Sequence, residues 1–376
     1  MIKHRHLTRR GWLLAGATAL TIPLASGTSA AAPTVIRGSP SASVSVYATG
    51  FNNPRGLKFG PDGMLYVAEG GPGGNSSTVG QCTQVVPPVG PYTGQATGGR
   101  ISRVDSDGVR HTVTDAFPSS QTAPTLGSLV SGVADVAFIG DTLYAVTAGA
   151  GCSHGVADTV NGVYRVSGNG SVSLVANLSA FQMAHPVAHP EPDDFEPDGT
   201  WYSMVAVRGS LYAVEPNHGE LDRISTSGAI SRVADISASQ GHIVPTAMAT
   251  HGVFYVGNLN TFPISVGSSK ILQITPAGTV HTAATGFTTV LGLAFDNRGR
   301  MYVLENTVHD GFPQPGYGEI VRVTGNKKDV IVSGLALPTG MTYGPDGALY
   351  VSNLGFGPPA SLPEGPGQVL RIRLPD

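Results

Sequence analysis

Charge is scarce in this sequence: Asp, Glu, Lys and Arg together make up 12% of its 376 residues, about half the usual share of a globular chain. Ser, Thr, Asn and Gly must therefore cover much of the surface. The 22 basic side chains are outnumbered by 25 acidic ones, which argues against nucleic acid or anionic lipid as the main partner. Sustained helical periodicity is missing as well, so a helical bundle is excluded. There are two cysteines, too few for a disulfide scaffold. A serine nucleophile elbow, a zinc motif, a P-loop and a Rossmann fingerprint are all absent. What is abundant is Gly (51) and Pro (28), the composition of a chain with many turns.

The N-terminus reads as a targeting segment. Lys3, Arg5, Arg9 and Arg10 precede an apolar stretch from Gly11 to Leu24, and small residues run from Ser26 to Ala32. That is the three-part pattern of a signal peptide over residues 1–32, with a flexible linker expected over 33–43. The apolar stretch contains Pro23 and is shorter than the roughly 20 residues a membrane span needs, so no membrane anchor is expected. Thr8-Arg9-Arg10-Gly11-Trp12 fits a twin-arginine export signal, and an ordinary Sec signal fits equally well. Both lead to a secreted, extracellular protein. Losing those four basic residues takes the formal charge from −3 to −7. A monomer is expected.

The decisive feature is repetition. Met64-Leu-Tyr-Val67, Thr142-Leu-Tyr-Ala-Val146, Ser210-Leu-Tyr-Ala-Val214, Val253-Phe-Tyr-Val256, Arg300-Met-Tyr-Val303 and Ala348-Leu-Tyr-Val351 echo one another, at spacings of 78, 68, 43, 47 and 48 residues. Without insertions the unit is about 45 residues, the length of a four-stranded propeller blade. Tight turns such as Gly60-Pro-Asp-Gly63 and Gly344-Pro-Asp-Gly347 join strand a to strand b, Pro presetting φ and Gly accepting positive φ. The fold expected over 44–376 is an all-β, six-bladed β-propeller. Its last unit stops after strand c, and a spare strand lies at Val44-Ser-Val-Tyr-Ala48. The N-terminal strand should complete the last blade and close the ring, removing two exposed sheet edges.

The insertions fall in b–c and d–a loops, including 70–98, 117–132, 148–161, 180–200, 260–268, 307–318 and 355–367. In a propeller these share one face, and long loops on a rigid scaffold are where binding and catalysis concentrate. An unknown ligand is therefore expected at the loop-rich face. Cys82 and Cys152 lie in the first two b–c loops. In an exported chain they suggest a disulfide, with two free thiols as the other reading.

Polar residues end the b strands: Glu69, Glu215, Asn258, Glu305 and Asn353. As a ring of oxygen ligands they suit Ca2+, although such residues also accept backbone N–H groups at strand ends. Strand a starts add Asn53, Arg55, Asp135, Thr246 and Thr339. The segment from His185 through His189, Glu191, Asp193, Asp194 and Glu196 to Asp198 is the densest cluster of titratable groups. It supplies either acid–base groups or a solvated loop stiffened by Pro. The enzyme constellation to test is His218 or His242 with Glu196, Asp198 or Glu215. His154 and His309 are further rim positions.

The run from Gly50 to Glu69, Val79-Gly-Gln-Cys-Thr-Gln84, Val89-Gly-Pro-Tyr-Thr-Gly94, Asp194-Phe-Glu-Pro-Asp-Gly199 and Val214-Glu-Pro-Asn-His-Gly-Glu-Leu-Asp222 resemble the ScyD/ScyE family, over nearly all of the chain after the signal. The resemblance implies an exported propeller and assigns no catalytic residue. A more distant similarity, carried by the Pro-x-Gly-Leu, Pro-Asp-Gly and Leu-Tyr-Val repeat, extends to NHL-repeat proteins, gluconolactonase-like calcium hydrolases, streptogramin lyases and quinone-dependent sugar dehydrogenases. Three functions follow. The first is a binding propeller for a small molecule, glycan or protein. The second is a Ca2+-dependent lactonase or esterase, or a lyase with a His/Glu pair. The third is a quinone-dependent sugar oxidoreductase. Fold alone does not choose among them.

Overall fold

The computed structural model describes residues 36–39, 42–190, 195–325, 327–355 and 367–374. The signal segment, Glu191, Asp193, Asp194 and most of the 355–367 loop lie outside these.

The strands form six antiparallel sheets, each built from four consecutive blade positions. Blade 1 runs Pro54–Phe59, Leu65–Glu69, Thr93–Val104 and Arg110–Gln121. Blade 2 follows with Val133–Ile139, Thr142–Thr147, Gly162–Val166 and Val172–Asn177. Blades 3 and 4 open on Ser203–Val207 and Pro245–His251, and blade 5 on Val290–Phe295. Blade 6 holds Gly340–Tyr343, Ala348–Asn353 and Gly367–Arg373. Its outer strand is the N-terminal Ser43–Phe51, antiparallel to Gly367–Arg373 from Ser43↔Arg373 to Phe51↔Gly367. The expected closure is thus present.

The Pro-Asp-Gly and Leu-Tyr-Val repeats have one shared mechanical role. In blade 1 the turn residue Asp62 accepts Met64 N at 3.1 Å and the Tyr66 hydroxyl at 2.9 Å. In blade 6 Asp346 does the same for Ala348 N and Tyr350. In blade 5 Tyr302 reaches Asp296 at 3.3 Å, so in three of the six blades the motif tyrosine locks its own a–b turn, and there the repeat is scaffold chemistry.

The core is six wedges rather than one mass. Apolar side chains of adjacent blades meet in six clusters, such as Trp201, Met204 and Leu211 of blade 3 against Tyr144 and Val146 of blade 2. The wedge between blades 6 and 1 includes Ala48 and Phe51 from the closing strand, against Leu57, Leu65 and Tyr350. Inner strands are apolar on both faces because a neighbouring blade covers each. They also approach closely at the axis. A Cβ at Gly56 would collide with the Asp135 carboxylate, and one at Gly340 with the Arg55 carbonyl. The axial channel is consequently almost filled, with a void of about 20 Å3, room for little more than one water.

Three expectations are corrected. The linker placed over 33–43 contains a short strand: Arg37–Gly38 pairs with Ser333 and Val332 and widens blade 5 to five strands. The insertions at 70–98 and 117–132 are partly strand. The outer hairpin of blade 1 continues beyond the blade, with Thr93, Gly94 and Gln95 opposite Gln121, Ser120 and Ser119. The loop at 180–200 begins as helix Leu178–Ala184, capped by Asn177, whose side chain accepts Ala180 N at 2.9 Å. Asp235 caps a second short helix, Ile236–Gln240, in the same way. Among the described residues no helix is long and apolar enough to cross a membrane.

Candidate functional site

The b–c and d–a loops surround a cavity of about 450 Å3 at one end of the channel. Val89 and Tyr92 come from the first b–c loop, Leu126 and Leu129 from the loop before blade 2, Asn217 from blade 3 and Asn260 to Phe262 from blade 4. Beneath them are strand a residues, among them Arg55, Val133 and Ala134. Tyr202 lines both this cavity and the axial void, so it stands between the two. The cavity is blind, because the filled channel closes its floor.

The disulfide is present. Cys82 and Cys152 are bonded, with Cα atoms 6.3 Å apart and 70 residues between them in sequence. It ties the b–c loops of blades 1 and 2, and Thr78 Oγ1 donates to the Cys152 carbonyl beside it. The tie holds Tyr92 and His154 at the mouth. Their rings meet edge to face at 4.9 Å.

Glu196 is the centre of the polar network. Its Oε1 accepts the Tyr92 hydroxyl at 2.6 Å, its Oε2 lies 3.1 Å from His154 Nε2, and its backbone N–H donates to Asn217 Oδ1 at 2.8 Å. Asp198 sits one turn further on, accepting Ser153 N and Ser153 Oγ, each at 2.7 Å. So Glu196 contacts His154 directly, and its charge also reaches His218. His242 does line the cavity. His218 is buried and pairs with Glu215, Nδ1 to Oε2 at 3.4 Å, and neither lines the cavity. Burial works against both charges, but their mutual attraction prevails: the Glu215 carboxyl lies below its ordinary value and the His218 imidazole above it. The pair braces a turn, with His218 N donating to Glu215 Oε2. His309 lies elsewhere, against Tyr317 at 4.0 Å between ring centres.

The ring of strand-end residues has a different occupation from ligating a cation. Glu69 accepts Asn52 N at 2.7 Å and is paired with Arg100. Glu215 accepts Thr200 N, Glu305 accepts Thr288 N and Asn353 accepts Ala336 N, at 2.9, 2.6 and 2.9 Å. Asn258 accepts Lys270 N and donates to the Ile243 carbonyl, both at 2.8 Å. Each side chain therefore staples the crossover that enters from the preceding blade. Ca2+ takes six to eight oxygens and favours carboxylates. None of the five lines the cavity, whose one carboxylate among the described lining residues, Glu196, is engaged on both oxygens while a guanidinium stands in the same wall. The residues present do not fit a calcium ion here.

Stapling has a cost that pH reveals. Burial raises the Glu305 carboxyl to about 7, with the Thr288 N–H opposing and the charge of Glu319 adding to the rise. The folded protein then holds a proton between pH 4.5 and 7 that the unfolded chain has released, so stability falls as pH rises through that window. Glu305→Gln keeps an acceptor for Thr288 and removes the charge. It is expected to raise unfolding free energy by about 3 kcal/mol at pH 8 and hardly at all at pH 4.5. Urea denaturation at the two pH values checks this, and an equal effect at both would refute it.

Arg55, Tyr92, Trp201 and Tyr202 form much of the wall. In the sequence Arg55 is a strand a start and Tyr92 lies within Val89-Gly-Pro-Tyr-Thr-Gly94, but neither motif assigns a role to its residue, and no spacing brings the four together.

No protein-family model and no curated sequence matches the chain. Among solved structures it is similar to a putative oxidoreductase (glucose dehydrogenase) of Thermus thermophilus, at 17% identity over 88% of this chain and 99% of that one, TM-score 0.54. It is similar to a gluconolactonase of Xanthomonas campestris at 12% identity over 89% and 90%, TM-score 0.53. A calcium-binding protein, regucalcin, of Agrobacterium tumefaciens matches at 14% over 88% and 93%, TM-score 0.51. At these identities the likeness establishes the six-bladed β-propeller fold that this chain shares with them.

Proposed function

We propose that this protein is an exported, ScyD/ScyE-like binding propeller whose ligand is a small, largely apolar organic molecule. The cavity carries the reading. At about 450 Å3 it falls within the roughly 300–1,000 Å3 typical of small-molecule sites, which are mostly apolar with a few placed polar groups. Val130, Val133, Ala134, Leu129 and Trp201 supply apolar wall, with Arg55, Glu196 and His242 as the charged or titratable exceptions. The disulfide between two mouth loops supports an oxidising, extracellular setting.

A metabolite-sized compound library screened by thermal unfolding tests the reading. At a hundredfold excess over Kd a ligand stabilises by about 2.7 kcal/mol, a shift of a few degrees. Hits should stabilise the wild type and lose their effect on Leu129→Trp, which fills the cavity from a loop. Hits that stabilise both proteins equally would place binding elsewhere.

A hydrolase is the second reading, favoured by one observation. Glu196 reaches the cavity while Tyr92 and His154 fix its carboxylate, as a general base for water attack on a lactone or ester requires. Turnover of a lactone panel that disappears in Glu196→Gln would favour it over simple binding.

A further inference from the structure

Among the described residues Arg55 is a buried cation without a counter-charge. It is 9% exposed and belongs to the first residues of an inner strand, where Pro54 and Gly56 hold the backbone against blade 6: Pro54 O accepts Thr339 Oγ1 and Arg55 O accepts Ser352 Oγ, both at 2.6 Å. Its side chain has nowhere to go but the mouth. There one Nη2 donates to the Val130 carbonyl, and the Tyr202 hydroxyl lies beside the guanidinium. Among the described residues no carboxylate stands within ion-pair distance. The nearest candidates are taken: Asp135 faces Lys58 at 3.6 Å and accepts Met204 N, while Glu196 is bound on both oxygens.

A guanidinium offers five N–H donors in a planar fork. Two neutral partners use a fraction of them, and Arg55 is one of the residues that line the cavity. Burying a cation costs several kcal/mol unless an anion compensates. Burial accordingly pushes the Arg55 guanidinium below its ordinary value, with Tyr202 opposing. Proteins keep such a group where a ligand supplies the missing charge. Carboxylate and phosphate both match the fork; a wall whose described residues include one guanidinium, no lysine and mostly apolar side chains favours the singly charged carboxylate.

Resting on the cavity as the binding site, the geometry points to a ligand class: organic monocarboxylates, whose carboxylate pairs with Arg55 while the apolar body lies against Val130, Val133 and Leu129. The rest of the wall agrees with this assignment. Tyr202 keeps its proton, its hydroxyl donating to the Thr339 carbonyl at 2.7 Å, so it adds no negative charge beside the guanidinium. An uncharged apolar ligand of the same shape would leave the cation buried a second time, without water.

Calorimetric titration of the full chain with three probe pairs tests this: phenylacetate, 2-naphthoate and decanoate, each against its primary amide. The amide is nearly isosteric and uncharged. At least one acid should bind the wild type tenfold or more tighter than its amide, with the preference falling below twofold in Arg55→Gln and partly surviving in Arg55→Lys. The wild-type comparison decides without any variant, should Arg55→Gln fail to fold. Equal affinity for acid and amide, or an acid preference that persists in Arg55→Gln, overturns the inference and leaves the cavity as a binding site. If no acid and no amide binds at millimolar concentration, the inference and the binding reading fall together.

Discussion

Deleting residues 1–51 is expected to leave a chain with no cooperative unfolding transition. The deletion removes the outer strand of blade 6, and with it the ladder from Ser43↔Arg373 to Phe51↔Gly367. Phe51 is fully buried in the wedge between blades 6 and 1, and truncating a buried Phe alone costs about 3–5 kcal/mol. Loss of the ladder then exposes Gly367–Arg373 as a sheet edge. The combined loss is comparable with the entire stability of a typical domain, about 5–15 kcal/mol. Circular dichroism during heating reads the result. A shorter deletion of residues 1–35 spares every described strand and should melt like the full chain. A cooperative transition in the 1–51 deletion, within a few degrees of the full chain, would mean that the ring does not depend on its N-terminal strand.

Replacing both cysteines by Ser is expected to have the next largest effect. A cross-link across 70 residues restrains the unfolded chain by about 4 kcal/mol in the chain-entropy treatment. The same change should be felt locally. Without the link, the loop carrying Tyr92 loses its covalent tie to the loop carrying His154, and Glu196 loses a fixed partner on each oxygen. Limited proteolysis should therefore cut within 70–92 faster than in the wild type, and the denaturant midpoint should fall. An unchanged midpoint together with unchanged cleavage would remove the disulfide from the account of the mouth.

How much of this was readable in advance follows from what repeats. The Leu-Tyr-Val motif recurs because each blade needs the same buried inner strand, and in blades 1, 5 and 6 its tyrosine also locks the a–b turn, so the repeat betrays the fold and the blade number. Glu69, Glu215, Asn258, Glu305 and Asn353 recur too. Their matched positions in the repeat, which suggest a ligand ring, instead mark a task five of the six blades share: holding the incoming crossover by its backbone, through an N–H in four of them and the Ile243 carbonyl in blade 4. The cavity depends on what does not repeat. Tyr92 and Glu196 sit in insertions of unequal length, Trp201 directly follows one, and no spacing brings Tyr92 to Glu196 across 104 residues. Only the disulfide and the loop-rich face hinted at their meeting. The short helices after Asn177 and Asp235 were equally hidden, since five to seven residues are too few for a periodic signal.

A small molecule is expected to occupy the blind cavity above Tyr202. A crystal structure of the protein grown with 2-naphthoate tests that most directly. Electron density for the naphthyl ring between Val130, Val133 and Leu129, with the carboxylate on Arg55, is the predicted result. The probe bound outside the mouth, with only ordered water in the cavity, would contradict it.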